Sequence, residues 1–253
     1  MIQAAIAAYI DRGIFGGVMG RQLAAVVFLF VTGSTVAAAA NDFPYGRTLA
    51  FAIYRNGEEV GHHTLSFQNE GANRTVTVAV DLSVKALGVT AYRYSHNSRE
   101  MWNGNALQRL DARTDDNGRK FAVRAQRDAK GLMVEREAPP DVAPAAVADQ
   151  GLQAPEIARE RLPAGILPTT NWNVGQVGQS VLLNTQYGTQ SYAKITPMGR
   201  EPVKTASGAT IQATRYRYTG DLRMDQWFDD RGRWVKAAFP AFDGSMIEYI
   251  LQE

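Results

Sequence analysis

Residues 75–84 alternate with period two: Val76, Val78, Val80, Leu82 and Val84 fall on one face, and Thr75, Thr77, Ala79, Asp81 and Ser83 on the other. Alternation among β-branched residues predicts a half-buried strand. Leu49, Phe51 and Ile53 repeat the pattern one strand earlier, and Asn56-Gly57 separates them from a run ending at Phe67. Asn-Gly supplies the positive φ angles of a tight turn, so 47–55 and 58–68 are predicted to pair as a hairpin. Further strands are predicted at 89–96, 99–103, 106–114, 119–128 and 131–137, punctuated by Asn103-Gly104 and Asn117-Gly118. A second series follows at 179–185, 188–197, 200–205, 208–219, 222–229, 233–239 and 245–252. Short strands with short turns predict an all-β fold: a curved antiparallel meander forming a half-open barrel or β-roll.

The alternation lapses between the two series. Six of the ten prolines, Pro139, Pro140, Pro144, Pro155, Pro163 and Pro168, lie in 138–168. Proline withholds a ladder donor, so no central strand is expected there. The segment 138–178 reads as a crossover linker, an ordered surface loop joining units 45–137 and 179–253. One short helix near 155–161, with proline in its first turn, is the only helix expected. The two units also echo one another. Ala91-Tyr92-Arg93-Tyr94-Ser95 parallels Arg215-Tyr216-Arg217-Tyr218-Thr219, Trp102 parallels Trp227, and Asn117-Gly118 parallels Asp243-Gly244. A duplicated meander is the reading of this echo.

The N-terminus has a different character. Arg21, an apolar run over 23–31 and the small residues Ala38-Ala39-Ala40 have the three-part layout of a secretory signal. Cleavage is expected after Ala40, with residues 1–18 an extension and Met19 the expected true start. The apolar run is short for a membrane span, which takes roughly 20 residues. The mature domain, 41–253, is then expected in the periplasm, with membrane association only through an uncleaved signal.

Composition narrows the chemistry. The chain has no cysteine, which removes lipoprotein anchors, disulfides and thiolate metal sites. Loss of Arg12, Arg21 and Asp11 with the signal leaves 25 basic and 24 acidic residues, a balance that gives nucleic acid no electrostatic footing. His62 and His63 are adjacent on a predicted strand, so they point to opposite faces, and His96 is remote in sequence. No metal and no cofactor is expected. Asp115-Asp116 and Asp229-Asp230 precede Asn-Gly and Arg-Gly, where turn formation accounts for them. There is no G-x-S-x-G elbow and no phosphate-binding G-x-x-x-x-G-K-[ST] loop.

The aromatic residues carry more. Tyr92 and Tyr94 share one strand face, Tyr216 and Tyr218 share another, and Arg93, Arg215 and Arg217 lie opposite them. If the tyrosines face inward, they and the strand tryptophans Trp102 and Trp227 line a concave surface suited to an amphipathic ligand. The same residues would equally serve as an ordinary β core.

Leu87-Gly88-Val89, the Tyr92–His96 run, Glu100-Met101-Trp102, the Thr114–Gly118 run, Asn171-Trp172-Asn173, Trp227-Phe228-Asp229 and Asp243-Gly244-Ser245 together resemble an exported proteobacterial β-rich family of unknown function. That family is similar in layout to a broader group of periplasmic domains of unknown function. The resemblance implies fold and location and carries no catalytic residue. Three functions are consistent with it. The first is a non-enzymatic binding or envelope-associated protein holding a lipid or other apolar molecule on Tyr92, Tyr94, Trp102, Tyr216, Tyr218 and Trp227. The second is a structural or interaction module presenting a sheet edge or the Pro-rich segment. The third is a hydrolase in which Glu100, Asp111 and His96 would have to converge in one cleft.

Overall fold

The computed structural model describes residues 43–138 and 156–253. The leader expected at 1–40 and the first part of the Pro-rich linker lie outside the described residues. Fifteen strands follow in order: β1 (Thr48–Arg55), β2 (Glu58–Glu70), β3 (Asn73–Ala86), β4 (Val89–Asn103), β5 (Ala106–Asp116), β6 (Arg119–Asp128), β7 (Gly131–Ala138), β8 (Glu156–Leu162), β9 (Leu167–Pro168), β10 (Val181–Leu183), β11 (Gln190–Lys204), β12 (Thr210–Gly220), β13 (Met224–Asp229), β14 (Trp234–Pro240) and β15 (Met246–Leu251). Among the described residues the helical element is one 3-10 turn, Val174–Gly178, capped by the Asn173 side chain, which accepts from the Gly175 N–H.

The strands make one sheet in the order β8-β7-β6-β5-β4-β3-β2-β1-β15-β14-β13-β12-β11-β10-β9. Every pairing is antiparallel except β9 with β10. The C-terminal strand joins the two series at the middle of the sheet, pairing with β1 through Phe51↔Leu251, Ile53↔Tyr249 and Arg55↔Ile247. A flat sheet of fifteen strands would be about 67 Å across at the usual spacing near 4.8 Å. Yet its two edge strands are consecutive in the chain, and Leu162 and Leu167 can be no more than about 18 Å apart along five residue steps. The sheet must therefore roll up until its edges are close. They meet through side chains: Arg136 donates to the Gly188 carbonyl at 3.4 Å, and Gln190 donates to Glu160 at 3.1 Å. No ladder joins β8 to β9, so the barrel is half open.

The apolar faces meet inside, as the period-two pattern requires. Val76, Val78 and Val80 are buried, alongside Phe51, Leu65, Leu110, Val123 and Val134 from neighbouring strands. The inner layer also holds Trp234, 4.1 Å from the Phe51 ring.

Three expectations are corrected. The pairs predicted as 89–96 with 99–103 and 188–197 with 200–205 are single strands, β4 and β11. Asn97-Ser98 interrupts apolar character without interrupting the ladder, while β11 passes Pro197 and Gly199 by a register shift. Beyond its first residues β11 pairs only with β12, which leaves Pro197 and Pro202 no second ladder to break. Of the segment 155–161, the described residues from Glu156 on are not helical but belong to strand β8, because their charges match those of β7: Arg159 pairs with Glu135 at 2.7 Å and Arg136 with Glu160 at 3.1 Å. Finally, 163–178 is no surface loop. Residues 166–172 and 182–186 are buried without a break and fill the barrel as a plug. The echoed motifs are built differently: Tyr92, Tyr94 and Trp102 lie on one uninterrupted strand, whereas Tyr218 and Trp227 are on β12 and β13 with a turn between.

Gly188 marks where the plug touches the sheet. Its φ is +68°, and a Cβ there would lie 2.9 Å from the Arg136 Cβ and 3.3 Å from both γ-carbons of Val123. Gly188→Val is expected to lose about 1–3 kcal/mol or more through overpacking and strain. Gly208→Ala, at a similar φ of +87° in open space, is expected to lose only about 1 kcal/mol. Urea unfolding of the two variants checks the difference.

Candidate functional site

The inner face of β4 is unusually polar for a barrel wall. Every second residue from 92 to 102 points inward: Tyr92, Tyr94, His96, Ser98, Glu100 and Trp102. Their partners come from the plug and from the neighbouring strand β5. Tyr94 donates to Gln186 at 3.0 Å, Tyr92 to Asp116 at 2.7 Å, and His96 Nδ1 lies 2.7 Å from Thr114 Oγ1. On the facing strands Tyr218 donates to Gln226 at 3.3 Å, and Gln226 donates to Asn171 of the plug at 2.7 Å.

Glu100 is the strongest tie. Its side chain is fully buried, and one oxygen, Oε2, receives the indole N–H of Trp102 at 2.8 Å and that of Trp172 at 3.0 Å. Burial raises the carboxyl pKa, against the indoles and the nearby Thr170 hydroxyl, which lower it. Thr170 acts here without hydrogen-bond geometry, for neither its Oγ1 nor Glu100 Oε1 has a hydrogen-bond partner. The clamp fastens a plug residue to the sheet. The interior holds further buried polar atoms without a protein partner, among them both ring nitrogens of His63, His96 Nε2, Ser98 Oγ and Gln186 Nε2. His63 is enclosed instead by Phe51, Trp234 and Tyr249 at ring separations of 5.2–6.0 Å.

Below the clamp the barrel opens into a cleft of about 560 Å³. Phe43, Tyr45, Trp102 and Trp172 are among its lining residues, with Arg74 and Arg231. Tyr45 stacks on Phe67 at 4.8 Å and hydrogen-bonds the Trp172 carbonyl, while Trp102 meets Trp172 edge-on at 5.3 Å. The Arg74 guanidinium lies 3.6 Å over the Phe43 ring and donates to Asn69 at 2.7 Å. Burial lowers its pKa from the ordinary arginine value. Among the described residues neither Arg74 nor Arg231 has a carboxylate at ion-pair distance, and no carboxylate lines the cleft. The site is cationic and aromatic.

The residues singled out in the sequence do not gather at one surface. Tyr94 and Tyr218 are buried under the plug, Tyr92 and Tyr216 are half-buried, and Trp102 reaches the cleft. Trp227 is on the other side of the sheet: it shares a face with Arg215 and Lys236 and donates to Glu201 at 2.7 Å. The concave interior expected to receive a ligand is occupied by the chain itself. The hydrolase constellation also fails to form. His96 and Glu100 share a face but are four residues apart on one strand, about 13 Å, and Asp111 pairs with Arg99 and Arg109 on the opposite face. Among the described residues no group of three or more His, Asp or Glu side chains could hold a metal. Sequence reasoning missed Arg74, Phe43, Trp172 and Arg231. The signal for Arg74 was present: it is two residues before Val76 and so continues the apolar face of β3 as its one charge.

Burial lowers His63 and His96 from 6.5 to about 3. The unfolded chain takes up these protons first, so their contribution is intact above pH 6.5 and is lost as pH falls toward 3, at about 1.4 kcal/mol per pH unit for each ring. Glu100 has the opposite sign: its raised pKa makes burial costless below 4.5 and unfavourable as pH rises past that value. His63→Phe is expected to halve the stability lost between pH 6.5 and 5 and to gain about 1 kcal/mol at pH 7 by removing two unpartnered nitrogens. Glu100→Ala, which orphans two indole N–H groups, is expected to lose at least about 2 kcal/mol, and Glu100→Gln less, because an amide oxygen still accepts. Denaturant titrations at pH 7 and 5 check both.

Comparison with known proteins agrees with this architecture. No curated protein matches the chain in sequence. Among solved structures, the chain resembles a beta-barrel-like protein of domain of unknown function DUF1849 from Brucella abortus, with a TM-score of 0.53 and 9% identity over 81% of this chain and 95% of that one. At that identity the likeness is one of fold. The family model for the domain of unknown function DUF6134 matches residues 51–252, from within β1 through the strand that joins the two series, and the chain belongs to that family.

Proposed function

We propose that the protein is an exported, periplasmic, non-enzymatic binding protein that holds an amphipathic anion in the cleft beneath the Glu100 clamp. The apolar body of the ligand lies against Trp172, Trp102 and Phe43, and its acidic head meets Arg74 and Arg231. Export rests on the signal-like pattern ending at Ala40. The ligand class rests above all on Arg74, a partly desolvated guanidinium held flat on an aromatic ring with no counter-ion among the described residues. An arriving anion gains a charge-assisted hydrogen bond from a group already oriented and already short of water. The cleft volume is within the range that suits a small ligand. Relative to the ligand surface read from the sequence, the site moves from the filled interior to the open mouth, and of the six residues named for it Trp102 remains.

Dodecyl phosphate below its micelle threshold is expected to bind and to quench tryptophan fluorescence through Trp172 and Trp102. Arg74→Gln is expected to weaken dodecyl phosphate by about tenfold or more, since a hydrogen bond to a charged group contributes about 1.5–3 kcal/mol. Neutral dodecyl maltoside should bind wild type and variant alike. Equal affinity of both proteins for the phosphate, or no saturable binding, sinks the reading.

A further inference from the structure

The far end of β3 carries a feature that neither the core nor the cleft uses. The ladder between β2 and β3 ends at Gly61↔Leu82, and the ladder between β4 and β5 ends at Tyr94↔Asp116. Beyond those pairs the ladder of β3 and β4 continues through Ser83↔Arg93, Val84↔Tyr92, Lys85↔Thr90 and Ala86↔Val89. The Arg93 carbonyl still accepts the Asn117 N–H at 2.8 Å, and Val84 and Tyr92 pack on the core, so only the last two pairs stand clear. A short two-stranded tip, two residue pairs or about 7 Å of strand plus the Leu87-Gly88 turn, therefore projects past the rim. Residues 85–91 are all exposed.

Its tip is apolar at a position that opposes apolar residues twice over. Leu87 is fully exposed, with a relative accessibility of 105%, and Val89 follows at 70%. Leu87 also has a φ of +50°, ahead of Gly88 at +79°. The same backbone occurs at two sister turns, Asn56-Gly57 with φ of +49° and +85°, and Asn117-Gly118 with +53° and +91°. Asparagine tolerates the left-handed region through local hydrogen bonds, and leucine has none to offer. The chain thus uses Asn-Gly for two turns on this rim and Leu-Gly for the one that projects furthest. Exposure and backbone strain both disfavour Leu87, and no contact in the fold offsets them.

We propose that the β3–β4 hairpin is a membrane-docking finger whose Leu87 and Val89 enter the headgroup region of an anionic bilayer. Charge favours that occupant. Lys85 and Arg93 flank the tip, Lys120 follows on the neighbouring β5–β6 turn, and none of the three has an ion-pair partner among the described residues. The nearest carboxylates are engaged or set back from the tip. Asp81 is where the ribbon rejoins the sheet, Asp116 pairs with Arg119 at 3.0 Å, and Asp115, opposite Lys120 in the ladder, accepts the Gly118 N–H at 2.7 Å, while Glu58 and Glu59 lie further along the rim at the β1–β2 turn. Area argues the same way. Two side chains at a turn are a small part of the roughly 800 Å² that each partner gives to a stable protein interface. Apolar residues spread along a rim suit a laterally extended phase, and Phe242 and Met246, exposed at 62% and 43%, lie at the same end, where Met246 hydrogen-bonds Asn56. An amphipathic tip with basic neighbours is the pattern of interfacial anchoring. The finger lies at the opposite end of β3 from Arg74, about 40 Å away, so docking here does not depend on what the cleft binds.

The test uses the full-length chain and vesicles of 70% phosphatidylethanolamine and 30% phosphatidylglycerol, with pure phosphatidylcholine as the neutral surface. Leu87→Asn restores the sister-turn sequence and should fold at least as well as wild type by thermal melting. It is expected to lower partitioning onto the anionic vesicles about tenfold, and Lys85→Gln with Arg93→Gln should erase the preference for them over phosphatidylcholine. A local readout separates the finger from any lipid affinity of residues 1–40. Val89→Trp should add to the wild-type signal a blue-shifted emission quenched by brominated lipid, read as the difference from wild type because two of the four native tryptophans, Trp102 and Trp172, line the cleft. Arg74→Gln should leave all of this unchanged. Equal partitioning of Leu87→Asn and wild type, or a Val89→Trp emission that stays at its aqueous maximum, overturns the proposal. So does a Leu87-dependent self-association in the absence of lipid, which would assign the tip to a second copy of the chain.

Discussion

Glu100 gives up water entirely and receives two indole N–H groups on a single oxygen in return. One indole is its neighbour on the same strand face; the other belongs to the segment that returns between the two edges of the sheet. A buried carboxylate is tolerable only when its hydrogen bonds are largely restored, so the interior is committed to holding Trp172 in one place. That residue in turn fixes Tyr45 through its carbonyl and presents its ring to the cleft. The closure of the sheet, the filling of the barrel and the floor of the cleft are thereby one arrangement.

A rolled fifteen-stranded sheet encloses more volume than the apolar faces of its own strands fill. This fold solves the problem with its own chain rather than with larger side chains. The plug is backbone-rich and carries Thr169, Thr170, Asn171, Gln176, Asn184, Thr185 and Gln186, all buried. The wall facing the plug, β4, meets its polar side chains at two points, Tyr94 on the Gln186 amide and Glu100 on the Trp172 indole, while His96 turns to Thr114 of β5 and β3 beside it is lined by valines. The cleft and the β3–β4 ribbon are at the two ends of this packed body, where side chains escape the constraint: Arg74 without a counter-ion among the described residues at one end, Leu87 without cover at the other.

Much of the fold was legible. Strand β3, the β1–β2 hairpin and the turns at Asn56-Gly57 and Asn117-Gly118 follow from alternation and turn chemistry alone. The misreadings have particular causes. Asn97-Ser98 looked like a break because an inward-facing polar residue is indistinguishable in sequence from a turn residue. The residues Glu156–Leu162 looked helical because their charges make sense only against Glu135 and Arg136 of β7. The Pro-rich stretch looked superficial because nothing in its composition says that a barrel stands open to receive it. Among site residues Trp102 was legible as an inward aromatic, while Trp227, of the same kind and in an echoed setting, was turned outward beside Lys236 by the register of β13.

What the sequence by itself determined is therefore the content of each face: which residues alternate together, where the chain turns, and that Arg74 extends an apolar row. The pleat and the turn are set by torsions within a few residues, and local composition encodes them. Which face became the interior of a barrel, how the edges met, that 166–172 went inside, that Glu100 lost its water and that Arg74 met no carboxylate among the described residues were decided only by tertiary structure. Those outcomes depend on the accumulated curl of many strands and on contacts between residues far apart in the chain, and no local pattern carries that information.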